Sequence, residues 1–466
     1  MKINGNEIQL DAGETVRISA VKSVTPTPSP APVPTELGEF QFSAGGFSDC
    51  HFDKDDKNNS EYREDLMNAL QFWLKQNVSF VFSEGDFVQY SDEDFELFYK
   101  AYGDFCKANY RLPLFAVPGN HDFLRMFHCR TKDDKYTDYG TLYKYIPLWQ
   151  NISSFLPSSD DFDIHFFEYG AKWDAPQYSG HRRTKSKLNF WFEFYGSVWV
   201  FTSVDYGTDK YTDPWDTLIR GINLIDFSDT YAKEMLEYVD MSDADRLHEA
   251  KFDYQYYQPE VLIWLKDIIE GNKGKPVIWH NHLPLPNKAG DVQNEYKHLR
   301  VWPVPENDTI KKKYYSGSVL PTGITFHFLD KLLQENRNVI AFTGHTHYCA
   351  AQLNDRIKRQ YNVKLPTGDE ITPVVENLNS LDGTKYDYRL YSIEGHSVGD
   401  CAETIHVPSL SRPVDVSGVP LYGASEGLLC EFYEKGLIVK FVRFKTEGSK
   451  KYTNEIIKEI TIPYNS

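Results

Sequence analysis

Two histidines two positions apart, His345 and His347, close the segment NVIAFTGHTH. If NVIAF is a strand, side chains two apart share a face, and two imidazoles converge on one point. That geometry suits a metal ion, but an isolated HxH is more often a solvated loop end, so the rest of the chain must decide. Similar residues recur upstream: Asp49 and His51 in SDCH, Asp86 in SEGD, Asn120 and His121 in PGNHD, and His282 in HNHLP. Carboxylate, amide oxygen and imidazole are borderline-to-hard ligands that suit Mn, Fe, Zn or Co rather than thiolate chemistry. Three oxygen donors (Asp49, Asp86, Asn120) and four histidines (His51, His282, His345, His347) exceed the needs of one four-coordinate ion. They match two ions that share a carboxylate.

The elements that must position these residues follow a repeated syntax. EFQFSAGGF runs into SDCH, VSFVF into SEGD, RLPLFAV into PGNHD, SVWVFTSV into DYG, KPVIW into HNHLP, and NVIAF into TGHTH. Between them, Tyr62, Leu66, Ala69, Leu70, Trp73 and Leu74 mark one apolar helix face. QPEVLIWLKDIIEGNKGK and FHFLDKLLQENR read as helices feeding the fifth and sixth strands. Alternating strands and helices predict an α/β layered body with its site beyond the carboxyl ends of the strands. After the last histidine pair, ETIHVPSL, EGLLCEFYE, GLIVKFVRF and NEIIKEITIPY are expected as strands that close one side of the core. The stretches 123–190, 207–256 and 286–322 lack clear periodicity and are expected to carry small elements and to roof the site. At the start, weak alternation around Ile8, Leu10, Val16 and Ile18, with DAGE between, predicts a small β-hairpin. TPTPSPAPVP then favours an extended spacer. The expected division is a hairpin appendage over 1–24, a Pro-rich linker over 25–37, and a main domain over 38–466 with a strand-rich C-terminal part.

Composition narrows the partners. Fifty Lys plus Arg against 67 Asp plus Glu give a formal charge of −17, which repels polymeric nucleic acid and anionic membranes. A small anionic substrate needs local positive charge, and bound cations supply it. Six scattered cysteines without CxxC spacing disfavour a zinc ribbon and a dense disulfide framework, with free thiols as the default. No basic, apolar leader or membrane-length apolar run is present, so a cytoplasmic protein is expected, with its oligomeric state open. Aromatics reach 15%, a surplus best read as core filling.

Taken in order, D-x-H, G-D, G-N-H-D, H-x-P and G-H-x-H, each after a strand, resemble the motifs of the binuclear metallophosphoesterases, the calcineurin-like family that includes purple acid phosphatases. The likeness spans roughly residues 40–410, with PEVLIWLKDII before the fourth motif and IHVPSL after the last. It implies a four-layer α/β/β/α sandwich with long loop insertions, built around two divalent or trivalent ions. One ion would be held by Asp49, His51, Asp86 and His347, the other by Asp86, Asn120, His282 and His345, with Asp86 bridging. The family's fourth ligand stands two residues before the proline, which selects His282 and leaves His280 in support. The resemblance further implies His121 as general acid and Asp122 as the group that orients it. Arg125 and His128 are candidate phosphate contacts, Asp205 is a supporting residue, and Gly180–Arg183 is a possible source of positive charge; Cys50 is expected to face away.

The activity implied is hydrolysis of a small phosphorylated substrate, with the motif forms leaning to small or nucleotide-like phosphodiesters. Phosphomonoesters and pyrophosphates are the alternatives within the family. Of another class, a non-catalytic binding module of a larger virion or surface assembly fits the hairpin and spacer. Metal amidohydrolases also use HxH, but theirs comes near the N-terminus, whereas here it comes last.

Overall fold

Strands buried on both faces read as unbroken apolar runs, and these runs require cover on two sides. In Phe80–Ser83 all four residues are buried, so the strand must lie inside a layered body. A computed structural model describes residues 2–3, 6–7, 35–89, 91–109, 112–123, 152–157, 162–167, 188–203, 230–239, 259–283, 301–303, 319–321, 324–345, 347, 363–364, 370–371, 402–414 and 421–465. Two six-stranded sheets form its centre. One runs Tyr452–Pro463, Gly436–Lys445, Ser425–Tyr433, Phe40–Phe47, Phe80–Ser83, Leu114–Ala116, and the last three are mutually parallel. The other runs Glu403–His406, Val339–Thr343, Val277–His280, Ser197–Phe201, Phe190–Phe194, His165–Phe166, and its first four are parallel.

The sheets meet through aromatic side chains. Phe80 lies 5.1 Å from Trp199, Phe82 5.1 Å from Phe342, and Phe115 4.5 Å from Phe192, ring centre to ring centre across the interface. The aromatic surplus is therefore largely core, each such pair adding about 0.5–1.5 kcal/mol beyond its burial. Helices cover the outer faces. Asn59–Lys75 buries Leu66, Ala69, Leu70 and Trp73, and the Trp73 indole donates to the Leu428 carbonyl at 2.8 Å. Pro259–Gly271 and Ile324–Glu335 bury Leu262, Leu265, Ile269, Leu332 and Leu333 in the cluster that includes Val277 and Val339 of the second sheet. The four-layer α/β/β/α arrangement expected from the sequence is thus the one observed.

The C-terminal strands do more than close one side. Glu403–His406 extends the second sheet in parallel, while the last three strands extend the first sheet in antiparallel fashion. The long aperiodic stretches do carry small elements, among them the helix Thr230–Val239 and the pair Val301–Pro303 with Val319–Pro321. Their roofing role lies outside the described residues. At the N-terminus, Lys2–Ile3 pairs with Asn6–Glu7, so the turn precedes DAGE, which is itself outside the described residues. Among the described residues no helix is long and apolar enough to cross a membrane.

One ionic cluster ties the first helix to the C-terminal sheet. Lys445, almost fully buried, lies 2.6 Å from Glu61 and 3.1 Å from Asp65, and the Tyr452 hydroxyl donates to Asp65 at 2.8 Å. Burial pushes the Asp65 carboxyl up to about 7 even with Lys445 beside it. Removing one partner of a buried pair strands the other charge, which costs about 3–5 kcal/mol, whereas an apolar replacement of both is often near neutral. Lys445→Met is therefore expected to lower urea-unfolding stability by up to about that amount, and by less as the Asp65 carboxyl takes up a proton in place of the lost partner, and Asp65→Leu added to it to restore most of the loss. Equal destabilisation in the single and double variants would contradict a role confined to charge pairing.

Candidate metal centre

Because the central strands of both sheets are parallel, their carboxyl ends bring SDCH, SEGD, HNHLP and TGHTH to one place. Backbone hydrogen bonds lace the turns together there. Asp49 N–H donates to the Gly85 carbonyl (2.9 Å), His51 N–H to that of Asp86 (3.0 Å), and Gly344 N–H to that of His282 (2.9 Å). The turns are tight enough that Asp49, His51, Asp86, His345 and His347 all have positive φ, between 49° and 74°. L-residues adopt this region at a cost, and such strain clusters at functional sites. Gly344 is needed for space rather than for its φ: a Cβ there would collide with the Ser48 hydroxyl.

Two groups of ligand-type atoms result, Asp49, His51, Asp86 and His347 in one and Asp86, His282 and His345 in the other, each within 4.8 Å of its own members. Asp86 belongs to both. In the first, His51 Nε2 lies 2.9 Å from His347 Nε2 and 3.6 Å from Asp86 Oδ2, and His347 Nε2 is 3.2 Å from Asp49 Oδ1. In the second, His282 Nε2 lies 3.3 Å from Asp86 Oδ2 and 3.2 Å from His345 Nδ1.

The outer ring nitrogens decide what the inner ones can do. His51 Nδ1 is 2.8 Å from the Gln89 side-chain oxygen, His347 Nδ1 is 3.1 Å from the Arg412 carbonyl, and His282 Nδ1 is against the Glu84 carbonyl. An acceptor on Nδ1 puts the proton there and leaves Nε2 with a lone pair. Three such lone pairs then face Asp49 Oδ1 and Asp86 Oδ2, buried oxygens without a hydrogen-bond donor. A cation at each group satisfies this donor set, and the chemistry of the residues fits it.

The electrostatics agree. Although burial alone would raise the Asp86 carboxyl, His282 and His121 beside it hold it well below the usual range. Burial works against charge on His282, yet Asp86 lifts that ring to about 9, so without metal a proton takes up the positive charge the cluster requires. Burial and the adjacent His121 instead press His51 down to about 3.

Residues 44–239 match the family model for calcineurin-like phosphoesterases. They form a calcineurin-like phosphoesterase domain. This domain is a metal-dependent phosphoesterase, and the structure brings His282, His345 and His347, which lie beyond the matched stretch, to its motifs. Solved structures similar to the chain include a dimetal phosphatase from Danio rerio, at 11% identity over 92% of this chain and 100% of that one, with a TM-score of 0.43. PhoD is similar at 9% identity over 92% of this chain and 70% of its own, with a TM-score of 0.44. GAP50, the anchor in the inner membrane complex of Plasmodium, is similar at 13% identity over 92% and 90%, with a TM-score of 0.36. No curated protein matches the chain.

The other expected site residues fare differently. His121 stands beside the first group, its ring centre 4.5 Å from that of His51 and its backbone N–H donating to Asp86 Oδ1 at 2.7 Å. Asp122 does not orient it. That carboxylate accepts backbone N–H groups of Asp86, Phe87, Val88 and Gly119 at 2.8–3.3 Å and so shapes the loop carrying Asp86. The Gln89 carbonyl, 3.1 Å from His121 Nδ1, takes the orienting part instead. Asn120 begins a short helix, Asn120–Phe123, but its side chain lies outside the described residues, as do Arg125, His128, Asp205 and Gly180–Arg183. His280 is set back from the ligand groups, 2.8 Å from the buried Glu84 carboxyl and stacked on Phe201. Cys50 points into the core. Sequence reading did not single out Glu84, Gln89 or Arg412; Glu84 and Arg412 stand in or beside quoted motifs, but nothing in their type announces a ligand-orienting role.

Gly119 gives a direct test. A Cβ there would collide with Asp86 Oδ1 and lie 2.7 Å from His282 Cε1, so the shared carboxylate would have to move. Gly119→Ala is expected to lose bound metal, read by elemental analysis after dialysis, while the circular-dichroism spectrum keeps its native form. Retention of the full metal complement would show that Asp86 is not held where both groups need it.

Proposed function

We propose that the chain hydrolyses small phosphodiesters, nucleotide-like ones included, at a two-cation centre. The observation that carries this reading is Asp86: one buried carboxylate belonging to two separate groups of imidazoles. Asp49, His51, Asp86 and His347 would hold one cation, and Asp86, Asn120, His282 and His345 the other, with Mn, Fe, Zn or Co suited to the donors. When bound, such a pair supplies a water made acidic enough to attack phosphorus and offsets charge in an in-line displacement. The side chains divide the remaining work. His51, His282 and His347 keep their Nε2 lone pairs inward, and Asp122 holds the turn that presents Asp86. His121 would hand a proton to the departing alkoxide from Nε2, since Nδ1 is engaged by the Gln89 carbonyl; this requires the doubly protonated ring, which burial disfavours and the adjacent Asp86 carboxylate favours.

Support for a diester comes from the forms GNHD and HLP together with the PSL segment at 408–410. The strong negative charge speaks against polymeric nucleic acid.

Two measurements test the reading. Metal-loaded enzyme is expected to turn over bis(4-nitrophenyl) phosphate with a higher kcat/KM than 4-nitrophenyl phosphate. The reverse order would select a monoesterase, and metal-loaded protein inert to both and to pyrophosphate would favour a binding module. His121→Ala should retain both cations yet lose about 100–10,000-fold in rate on an alkyl diester, with a much smaller loss on the aryl diester, whose leaving group needs no proton. Equal losses on both would remove His121 as the acid.

A further inference from the structure

We infer that Arg412 is a positioning residue that locks the tautomer of His51 by fixing which end of the Gln89 side-chain amide faces that ring. The inference rests on the two-cation reading and concerns only the first group, Asp49, His51, Asp86 and His347.

The geometry is a three-membered chain. Gln89 Oε1 accepts from His51 Nδ1 at 2.8 Å and from Arg412 Nη1 at 2.9 Å. A glutamine amide is ambivalent, because it offers an oxygen at one end and two N–H donors at the other. Turned by half a rotation, it would donate to His51 Nδ1, leave that nitrogen unprotonated and place the ring proton on Nε2. His51 Nε2 is the atom 2.9 Å from His347 Nε2 and 3.6 Å from Asp86, so a proton there would block ligation. Arginine removes the ambiguity. Its guanidinium has donors only and stays protonated, so it accepts nothing from the amide NH2 and admits only the orientation with oxygen toward itself.

Arg412 is itself held on every side. Its Nη2 lies 3.2 Å from Asp56 Oδ2, its Nε 3.2 Å from the Tyr62 hydroxyl, and its guanidinium carbon 5.1 Å from the centre of the Tyr62 ring. Its backbone serves the same group. The Arg412 carbonyl faces His347 Nδ1 at 3.1 Å, its N–H donates to Ser409 Oγ at 3.0 Å, and that hydroxyl donates to the Asp49 carbonyl at 2.9 Å. One residue therefore sets both histidines of the first group, His347 through its main chain and His51 through its side chain and Gln89. His282 of the second group lacks this dependence: its Nδ1 meets the Glu84 main-chain carbonyl, which has no alternative donor face.

That asymmetry makes the proposal testable with Mn2+ alone. Arg412→Met keeps the backbone carbonyl and most of the side-chain volume but frees the amide. By Mn2+ titration calorimetry, the first cation's dissociation constant is expected to rise about 10–100-fold, the usual effect of losing a group that orients a ligand, with the second unchanged. In metal-free protein, nitrogen NMR of labelled histidine should show His51 moving from one tautomer to a mixture. Gln89→Glu in the Arg412→Met background should restore the first affinity, since a carboxylate presents oxygen at either end. Should Arg412→Met fail to fold, Gln89→Leu, which leaves the Asp56 and Tyr62 anchors in place, must show the same selective loss. Unchanged affinity, equal weakening of both cations in folded protein, or failure of the glutamate to rescue would overturn the positioning role and leave the two-cation reading standing. Wild-type protein that binds no Mn2+ would overturn both.

Discussion

Buried lone pairs aimed at one another repel, and in a low-dielectric interior the repulsion is severe unless a positive charge stands among them. Asp49 and Asp86 are fully buried, and His51, His282 and His347 turn their Nε2 atoms toward them because each Nδ1 is occupied by an acceptor. A proton can compensate only part of this, as the elevated basicity of His282 shows. The arrangement makes sense as a holder for cations, and much of the surrounding structure serves to keep it from relaxing. Asp122 grips the turn at Asp86–Val88 through three backbone N–H groups and its own loop through that of Gly119, and Gly119 stays small so that the Asp86 carboxylate can sit where both imidazole groups reach it.

The two sheets explain how residues nearly three hundred positions apart, such as His51 and His347, come within hydrogen-bonding distance. Each sheet contributes parallel strands whose ends point the same way, and the aromatic layer between them fixes their relative position. Phe82 against Phe342 sits directly behind the turns that carry Asp86 and His345, so packing in that layer is translated into the separation of the ligand groups. His280 and Glu84 occupy the same interface, paired with each other at full burial. The Glu84 main chain in turn holds His282, which joins the interior of the sandwich to the second group.

Much of this was legible in the sequence because it depends on residue type and local period. Apolar runs followed by Asp, His or Gly-Asp announced the strands and the ligand-type residues at their ends; of those residues, Asp49, His51, Asp86 and His347 fall in one group and Asp86, His282 and His345 in another, while the Asn120 side chain is not described. What the sequence concealed are relationships between distant backbone atoms. Nothing in GNHD says that the Asp122 carboxylate is consumed by the loop at 86–88, because that depends on where the N–H groups of another turn point. The same holds for Gln89 and Arg412: a neutral amide and a loop arginine are ordinary surface residues until the fold sets them 2.9 Å apart behind a histidine. The partition of the C-terminal strands between the two sheets was likewise hidden, since alternation tells which face is buried but not which neighbour is joined.

Left-handed backbone at five of the ligand residues completes the picture. Each such residue costs about 1–3 kcal/mol unless its side chain is one that tolerates the region, as Asp and to some degree His do. The strain persists because the turns are over-determined: Asp49 and His51 hydrogen-bond to the neighbouring turn at Gly85 and Asp86, and the Ser409 hydroxyl takes hold of the Asp49 carbonyl. A more relaxed backbone would point these side chains away from the common centre. Strained turns, an aromatic interior that does not yield and polar groups that hold the outer nitrogens are therefore three parts of one device, and its product is a set of inward ring nitrogens and carboxylate oxygens already in position before any cation arrives.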